Sequence, residues 1–344
     1  VTAEGVNHEA ITAWLCERRP EVVPPLTFDV IAGGRSNLTY TVVDDEGARF
    51  VLRRPPLHSV LESAHDVARE ARIMAALADS DVPVPVVVGT EQTDEVNGSP
   101  FVVMEFTDGV IARDADAGRD LLDHDQRAAA SSALVDTLLA LHATDVDRVG
   151  LGDLGRRTGY IERQLRRWSG QLEKGGERDL PLLVELGSRL AADVPEPQGT
   201  AIVHGDYRLD NLILAPDGSE VRAVLDWELC TLGDPLADVG MLYVYWAQAQ
   251  DAVTPLGNMP TVVEGFWSRQ QVLDAYAAGS HLDLSELDYY VAFAFWRIAI
   301  ILEGVYTRFA AGAYEHQDEG VKAMGDVVHQ LAEAADERAR KAGR

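Results

Sequence analysis

Ile202-Val-His-Gly-Asp-Tyr-Arg-Leu-Asp-Asn-Leu-Ile-Leu214, followed closely by Ala223-Val-Leu-Asp-Trp-Glu228, is the stretch on which the reading of this chain turns. Short apolar runs at Ala201 to Val203 and Asn211 to Leu214 flank a polar loop, and a third, Val221 to Leu225, ends on Asp226. These read as strands, so Asp206, Asn211 and Asp226 are expected to project from neighbouring strand ends toward one point. Two carboxylates and an amide so placed suit a hard cation and an activated hydroxyl. Asp206 suits the task of orienting and deprotonating that hydroxyl, while Asn211 and Asp226 suit the binding of Mg²⁺. Arg208, two positions past Asp206, either neutralises charge on a transferred phosphoryl group or is a surface loop arginine. Glu228 is expected to support the site from behind. Asp234 and Asp238 stand at a helix entrance, where a structural role is expected for both. Asp238 either accepts hydrogen bonds from the loop backbone or caps the helix.

Upstream, the period is two rather than 3.6. Phe28 to Ala32 and Tyr40 to Asp44 read as strands joined through Gly33-Gly-Arg-Ser-Asn-Leu-Thr39, and Arg49 to Arg54 reads as a third. The Gly33-Gly34 pair does not fit G-x-G-x-x-G and precedes no helix, which disfavours a dinucleotide fold. A glycine-rich turn between strands can fold over phosphates, with backbone N–H groups at Gly34 and the side chains of Ser36 and Asn37 as donors. In the third strand Val51 and Arg53 share a face, which suits a base covered by Val51 and phosphates met by Arg53. From Ser59 to Ala78 a helix is expected, with Val60, Ala64, Val67, Ala71, Met74 and Leu77 as its apolar stripe. Glu70 falls inside that stripe and needs a partner there, for which Arg53 is the candidate. Pro100 to Phe106 reads as a strand leading into a linker, where backbone groups at Glu105 and Phe106 are expected to meet an adenine edge.

Beyond Asp125 the pattern is mostly helical, interrupted by the central motif. His142 is expected to be a core or loop-contacting histidine. The longest apolar run, Tyr289 to Val305, contains Arg297 and Glu303 and reads as a buried core helix. An acceptor pocket is expected among the C-terminal helices, near Trp246, Trp267, Tyr289 and Trp296, aromatics that are themselves expected to be mainly core.

At 344 residues with 47% apolar content, the chain is long enough for two lobes, each with a core. A net charge of −26 argues against a surface that binds nucleic acid, and anionic ligands must then be met by local arginines or metal. Cys16 and Cys230 form no metal-binding pattern, the opening residues do not read as a secretory signal, and no membrane association is expected. A cytoplasmic setting follows as the expectation.

The pattern His204-Gly-Asp-x-x-x-x-Asn211 with Leu225-Asp-Trp227 resembles the aminoglycoside phosphotransferase and choline kinase family, over roughly residues 28 to 310. Gly33 to Tyr40, Phe50-Val-Leu-Arg-Arg-Pro55, Tyr160 to Trp168 and Leu232 to Asp238 look like one subgroup, the kinase-like domain fused to acyl-CoA dehydrogenases in larger proteins. The resemblance implies an α+β, two-lobed protein-kinase-like fold. Its N-lobe, residues 1–106, would hold a small antiparallel sheet and one main helix, and a mostly helical C-lobe would span residues 107–344. It implies Asp206 as base, Asn211 and Asp226 as Mg²⁺ ligands, the Ser36-Asn37 loop over the phosphates and Met104 to Phe106 as nucleotide hinge. Arg53 departs from the family's relatives, which carry lysine there. The function implied is ATP- and Mg²⁺-dependent phosphorylation of a small-molecule hydroxyl, with GTP as the other nucleotide in play. The acceptor suggested by the fused relatives is a hydroxylated acyl-CoA or related metabolite, with a link to enzymes of acyl-CoA metabolism. Two alternatives stay open: a nucleotide-binding pseudokinase, and an aminoglycoside-type antibiotic kinase. Nothing in the chain resembles a flavin-dependent acyl-CoA dehydrogenase.

Overall fold

The computed structural model describes residues 3–31, 37–57, 66–175, 178–310 and 319–344. Alternation in the strands decides how the first lobe is built. Strands β1 (Thr27–Val30), β2 (Leu38–Val43), β3 (Arg49–Arg54), β4 (Val87–Glu91) and β5 (Phe101–Glu105) form one antiparallel sheet in the order β1-β2-β3-β5-β4. Tyr40, Val42, Phe50, Leu52, Phe101 and Val103 point to one face, where they bury Ile11, Trp14 and Leu15 of helix α1 (His8–Arg18). Trp14 meets the Phe101 ring edge-on at 4.9 Å. The opposite face, with Val51, Val102 and Met104, packs on Val67, Ala71, Met74 and Leu77 of helix α2 (Val67–Leu77). Each such buried side chain contributes about 1.5–3 kcal/mol, so the two helices clamp the sheet from both sides.

Helix α2 begins at Val67, where the Asp66 side chain accepts from the Arg69 amide and caps it. The expected helix start at Ser59, with Val60 and Ala64, lies outside the described residues. The rest of the expected stripe, Glu70 included, is buried.

The larger part is helical: α3 (Ala115–Leu121), α4 (His124–Ala143), α5 (Tyr160–Lys174), α6 (Pro181–Ala192), α7 (Leu236–Tyr245), α8 (Arg269–Gly279), α9 (Leu287–Ala310) and α10 (Glu319–Lys341). Between α6 and α7 lie β6 (Ala201–Val203), β7 (Leu212–Leu214), β8 (Val221–Val224) and β9 (Thr231–Gly233). The central strands do not form one set, as the sequence reading implied. β6 pairs with β9, and β7 pairs with β8, in two separate ribbons. β9 and α3 escaped the sequence reading because three and seven residues are too short to show a period.

Helix α9 is long and apolar enough to cross a bilayer by length and composition, yet 67% of its most apolar window is buried inside the fold. Its polar handles are satisfied: Tyr289 donates to the Leu190 carbonyl at 2.7 Å and Trp296 to that of Leu183 at 2.8 Å. Helix α7 lies against it so closely that a Cβ on Gly240 would stand 2.6 Å from the Tyr290 carbonyl oxygen, which glycine alone avoids.

Candidate active site

The polar loop after β6 is shaped by one buried carboxylate. Asp238, on the first turn of α7, accepts from the amides of His204 at 2.7 Å and Gly205 at 2.8 Å. His142 on α4 faces it at 3.3 Å through Nε2 and meets the Tyr276 hydroxyl at 2.7 Å through Nδ1. Burial raises the Asp238 carboxyl, but His142, His204 and the Gly205 amide outweigh it and hold the pKa below the usual range. Of the two roles open to Asp238, the structure therefore selects the bonding of the loop backbone. Asp234 has the structural role expected of it, accepting from the Leu236 amide and the Tyr290 hydroxyl. Gly205 turns the chain at φ +84°, and its carbonyl accepts from Arg297 of α9 at 3.0 Å. His204 bridges to the Leu225 carbonyl at 2.9 Å, tying the loop to the segment that carries Asp226.

Asp206 follows directly. The Asn211 amide nitrogen donates to its backbone oxygen at 2.8 Å and to its carboxylate at 3.0 Å. Asn211 closes a 3₁₀ turn (Leu209–Asn211) ahead of β7, and its carbonyl accepts from the Leu225 amide at 2.8 Å. Asp226 is thus set one residue beyond a bond to Asn211. Arg208 is no surface arginine: its Nε lies 3.2 Å from Asp206 and 3.1 Å from Asp210, and its guanidinium sits over the Tyr245 ring at 4.9 Å. Its Nη1 is buried without a hydrogen bond among the described residues. Asp210 was not singled out from the sequence, where it serves only as spacing within the motif. Burial pushes its pKa up to about 6, against the pull of Arg208 and with the push of Asp206.

Asp226 has φ +63°, and among the described residues it is the only non-glycine in the left-handed region. Such a conformation in a non-glycine residue is uncommon and concentrates at functional sites. Its Oδ1 accepts from Arg53 Nη2 at 2.9 Å, and Arg53 Nη1 lies 3.5 Å from Glu70 Oε2. Asn37, itself buried, donates to the other Glu70 oxygen at 3.0 Å. The expected Arg53–Glu70 pair is present, and the tie from Arg53 to Asp226 adds a link between the sheet and the metal-ligand candidate. Burial raises the Glu70 carboxyl to about 7, opposed by Arg53 and reinforced by Asp226 and Glu228. Arg69, on the other side of α2, donates to the Glu228 carbonyl at 3.4 Å and to that of Cys230, which fastens α2 to the same segment.

Val51 pairs with Met104 across β3 and β5, on the sheet face shared with Arg53. At the expected hinge, the Glu105 amide donates to the Val86 carbonyl at 2.9 Å and the Phe106 amide to that of Arg49 at 3.2 Å. These two donors are committed within the protein, so an adenine edge would meet other backbone groups of the strip. Phe106 also carries the Arg49 guanidinium over its ring at 4.1 Å, and Glu105 is ion-paired with Arg19. Gly34 and Ser36 lie outside the described residues. Of the four aromatics placed near an acceptor pocket, Trp246, Tyr289 and Trp296 are core, and Trp267 packs half-buried against them. Trp246 lines a small cavity beside Arg208 and Asp210, and donates to the Trp267 carbonyl at 2.8 Å.

The donor set fits Mg²⁺. Asn211 spends its amide nitrogen on Asp206, so its amide oxygen is the atom that could face a cation, and Asp226 could add a carboxylate. No group of three or more histidine, cysteine or acidic residues fit to hold a metal occurs among the described residues. Mg²⁺ needs none, because phosphates and water complete its shell.

The chain matches, over residues 27–287, the profile of the family described as the phosphotransferase enzyme family. Among curated proteins it is similar to mouse acyl-CoA dehydrogenase family member 10, at 37% identity over 322 residues. That match covers 90% of this chain and 29% of the mouse protein, so the chain spans less than a third of that relative's length. Among solved structures it is similar to a Ralstonia eutropha protein named for the aminoglycoside phosphotransferases, with TM-score 0.82, 30% identity and coverage of 98% and 99% of the two chains. It shares its fold with aminoglycoside phosphotransferase APH(4)-Ia, solved with AMP-PNP and hygromycin B, at TM-score 0.61, 17% identity and coverage of 96% and 98%. The chain belongs to the phosphotransferase enzyme family, and its fold is the two-lobed, kinase-like α+β fold of that family.

Proposed function

We propose that this member of the phosphotransferase enzyme family moves the terminal phosphoryl group of ATP to a hydroxyl of a small molecule, with Mg²⁺ as cofactor. The observation that carries the proposal is the tie of Asn211 to Asp206 at 3.0 Å, with Asp226 one residue from a bond to the same asparagine. In this reading Asp206 accepts the proton of the attacking hydroxyl, and Asn211 holds its carboxylate in place. Arg208 turns its guanidinium from Asp206 and Asp210 toward charge building on the phosphoryl oxygens. Asn211 and Asp226 would hold Mg²⁺, which when bound supplies positive charge to the phosphates. Arg53, steadied by Glu70, is the cation for the inner phosphates. Val51 and Met104 cover the base, with Glu105 and Phe106 at its edge; the phosphate contacts expected of Gly34 and Ser36 fall on residues outside the described ones. For the acceptor we propose a hydroxylated acyl thioester or related metabolite. The similarity to a protein named for acyl-CoA dehydrogenases supports it, while the dehydrogenase activity itself is no part of the proposal.

The test is transfer from ATP to a panel of hydroxylated metabolites, with and without Mg²⁺. Phosphorylation of at least one acceptor, dependent on Mg²⁺, is expected; nucleotide binding with no transfer or hydrolysis would refute the reading. One observation favours a second reading, a nucleotide-binding module without turnover. The Arg53 guanidinium bonds Asp226, the carboxylate needed for metal. In that case nucleotide would bind equally well without Mg²⁺, and the same experiment separates the two.

A further inference from the structure

Arg297 stands near the middle of α9 between the buried Trp296 and Ile298, and only 3% of it is exposed. Stripping water from a guanidinium is costly, so what Arg297 bonds in the core matters. Its Nη2 donates to the Gly205 carbonyl at 3.0 Å, and its guanidinium lies over the Trp168 ring of α5 at 5.5 Å. Among the described residues its Nε is buried without a hydrogen bond and no carboxylate pairs with it. A neutral amide or indole would satisfy one carbonyl oxygen with less desolvation than a full charge. Core packing alone does not account for an arginine at this position.

The bonded carbonyl belongs to the Gly205–Asp206 peptide. The N–H of that peptide, on Asp206, donates to His204 Nδ1 at 3.3 Å. His204 Nε2 lies 2.9 Å from the Leu225 carbonyl, which only accepts, so the ring proton is on Nε2 and Nδ1 is left as acceptor. Both polar groups of one planar peptide are thus held, the oxygen by α9 and the N–H by the histidine of the loop. The Asp206 Cα lies in that plane, so fixing the plane fixes where its side chain leaves the backbone. At the far end, Asn211 and Arg208 hold the carboxylate at 3.0 and 3.2 Å. The Arg297 charge reaches the same cluster: burial and Asp206 raise the pKa of the Tyr245 hydroxyl, and Arg208 and Arg297 pull against the rise. We infer that Arg297 is a positioning residue for the proposed base, fixing from α9 the peptide from which the Asp206 side chain departs. This rests on the reading of Asp206 as base and adds α9 to the elements that set its aim.

The test compares the full chain with Arg297→Met, Arg297→Gln and Arg297→Lys. Methionine fills the space without a donor, glutamine is too short to reach the carbonyl, and lysine keeps a charged donor. Two uncharged variants guard against one that fails to fold. Three readouts are taken: hydrogen exchange at the Asp206 amide, calorimetry with an ATP analogue, and ADP release from ATP with Mg²⁺ and a panel of hydroxylated metabolites. In either uncharged variant the Asp206 amide exchanges about tenfold faster relative to amides of α4, and kcat falls by about tenfold or more. KM for ATP and affinity for the analogue stay within about twofold of wild type, and Arg297→Lys recovers most of both losses. Wild-type exchange at Asp206 in both uncharged variants overturns the inference. So does an equal rise in exchange across α4 and the loop, which marks packing alone, or a lysine variant no better than methionine. Faster exchange at Asp206 with no ADP release by the wild type refutes the phosphotransfer reading and leaves the positioning standing. Wild-type exchange beside Mg²⁺-dependent transfer does the reverse.

Discussion

Arg53 and Asp226, 173 residues apart in the chain, are joined by a 2.9 Å hydrogen bond that links the five-stranded sheet to the end of β8. Glu70 lies 3.5 Å away on the same guanidinium, so one arginine serves two carboxylates, and only about a sixth of its side chain is exposed at 16%. Removing the cation leaves both carboxylates without their shared partner. Arg53→Met is expected to cost roughly 3 kcal/mol of stability, the scale for breaking a buried pair, and to weaken binding of an ATP analogue. Arg53→Lys keeps the charge but not the fork, and recovers part of both. Denaturant unfolding and calorimetry measure the two effects; a fully stable Arg53→Met would contradict the bridging role.

Glu70 gives the fold a pH dependence whose sign follows from its environment. Its pKa is raised from 4.5 to about 7, chiefly by burial, with Arg53 opposing and with Asp226, Glu228 and Asp66 adding to the rise. The folded protein therefore holds this proton more tightly than the unfolded chain. The stabilisation is fully present below pH 4.5 and is lost as pH rises through about 7. Glu70→Gln removes that titration while keeping an oxygen for Asn37. From pH 5 to pH 8 the variant should gain on the wild type by up to about 3 kcal/mol. Unfolding curves at the two pH values check this, and a constant difference would contradict it.

Asp238 holds the loop amides of His204 and Gly205. Asp238→Asn leaves one acceptor where two amides converge, and is expected to cost about 2 kcal/mol of stability. It should lower kcat by tenfold or more, because Asp206 hangs from that loop, while leaving nucleotide affinity near wild type. Steady-state kinetics beside nucleotide calorimetry would expose a different balance.

Arg208 and Asp210 act as a pair. In the proposed role of Arg208 as a donor to the transition state, Arg208→Met should lower kcat by about 10²–10³ with little change in nucleotide affinity. Asp210→Asn should leave Arg208 held by Asp206 alone and lower kcat by a smaller factor. Equal kcat in the wild type and Arg208→Met would reduce Arg208 to a packing residue.

What was legible in the sequence was local. Asp206, Asn211 and Asp226 lie within one short stretch whose apolar runs fix its turns, and Glu70 betrays itself as a carboxylate in an apolar stripe. The bond from Arg53 to Asp226 is set by how the sheet packs on the ribbons, which no period records. A helix entrance suits Asp238 as a cap and as a loop anchor alike, and only the positions of the loop's backbone amides decide between them. Asp210 was hidden as a spacer between two motif residues, although its burial beside Arg208 makes it part of the same ionic group. Arg297 stood out only as a charge in an apolar run, and its contact with Gly205 depends on where α9 crosses the loop. The glycine-rich segment with Gly34 and Ser36 lies outside the described residues.

In the proposed reaction Asp206 acts as base for a hydroxyl that takes the phosphoryl group of ATP. The most direct measurement follows labelled γ-phosphate from ATP into a panel of hydroxylated acids and their thioesters, for the wild type and Asp206→Asn side by side, with Mg²⁺ present. The wild type should label at least one acceptor. Asp206→Asn should label none while binding the nucleotide with near wild-type affinity. Equal labelling by the two proteins would contradict the account.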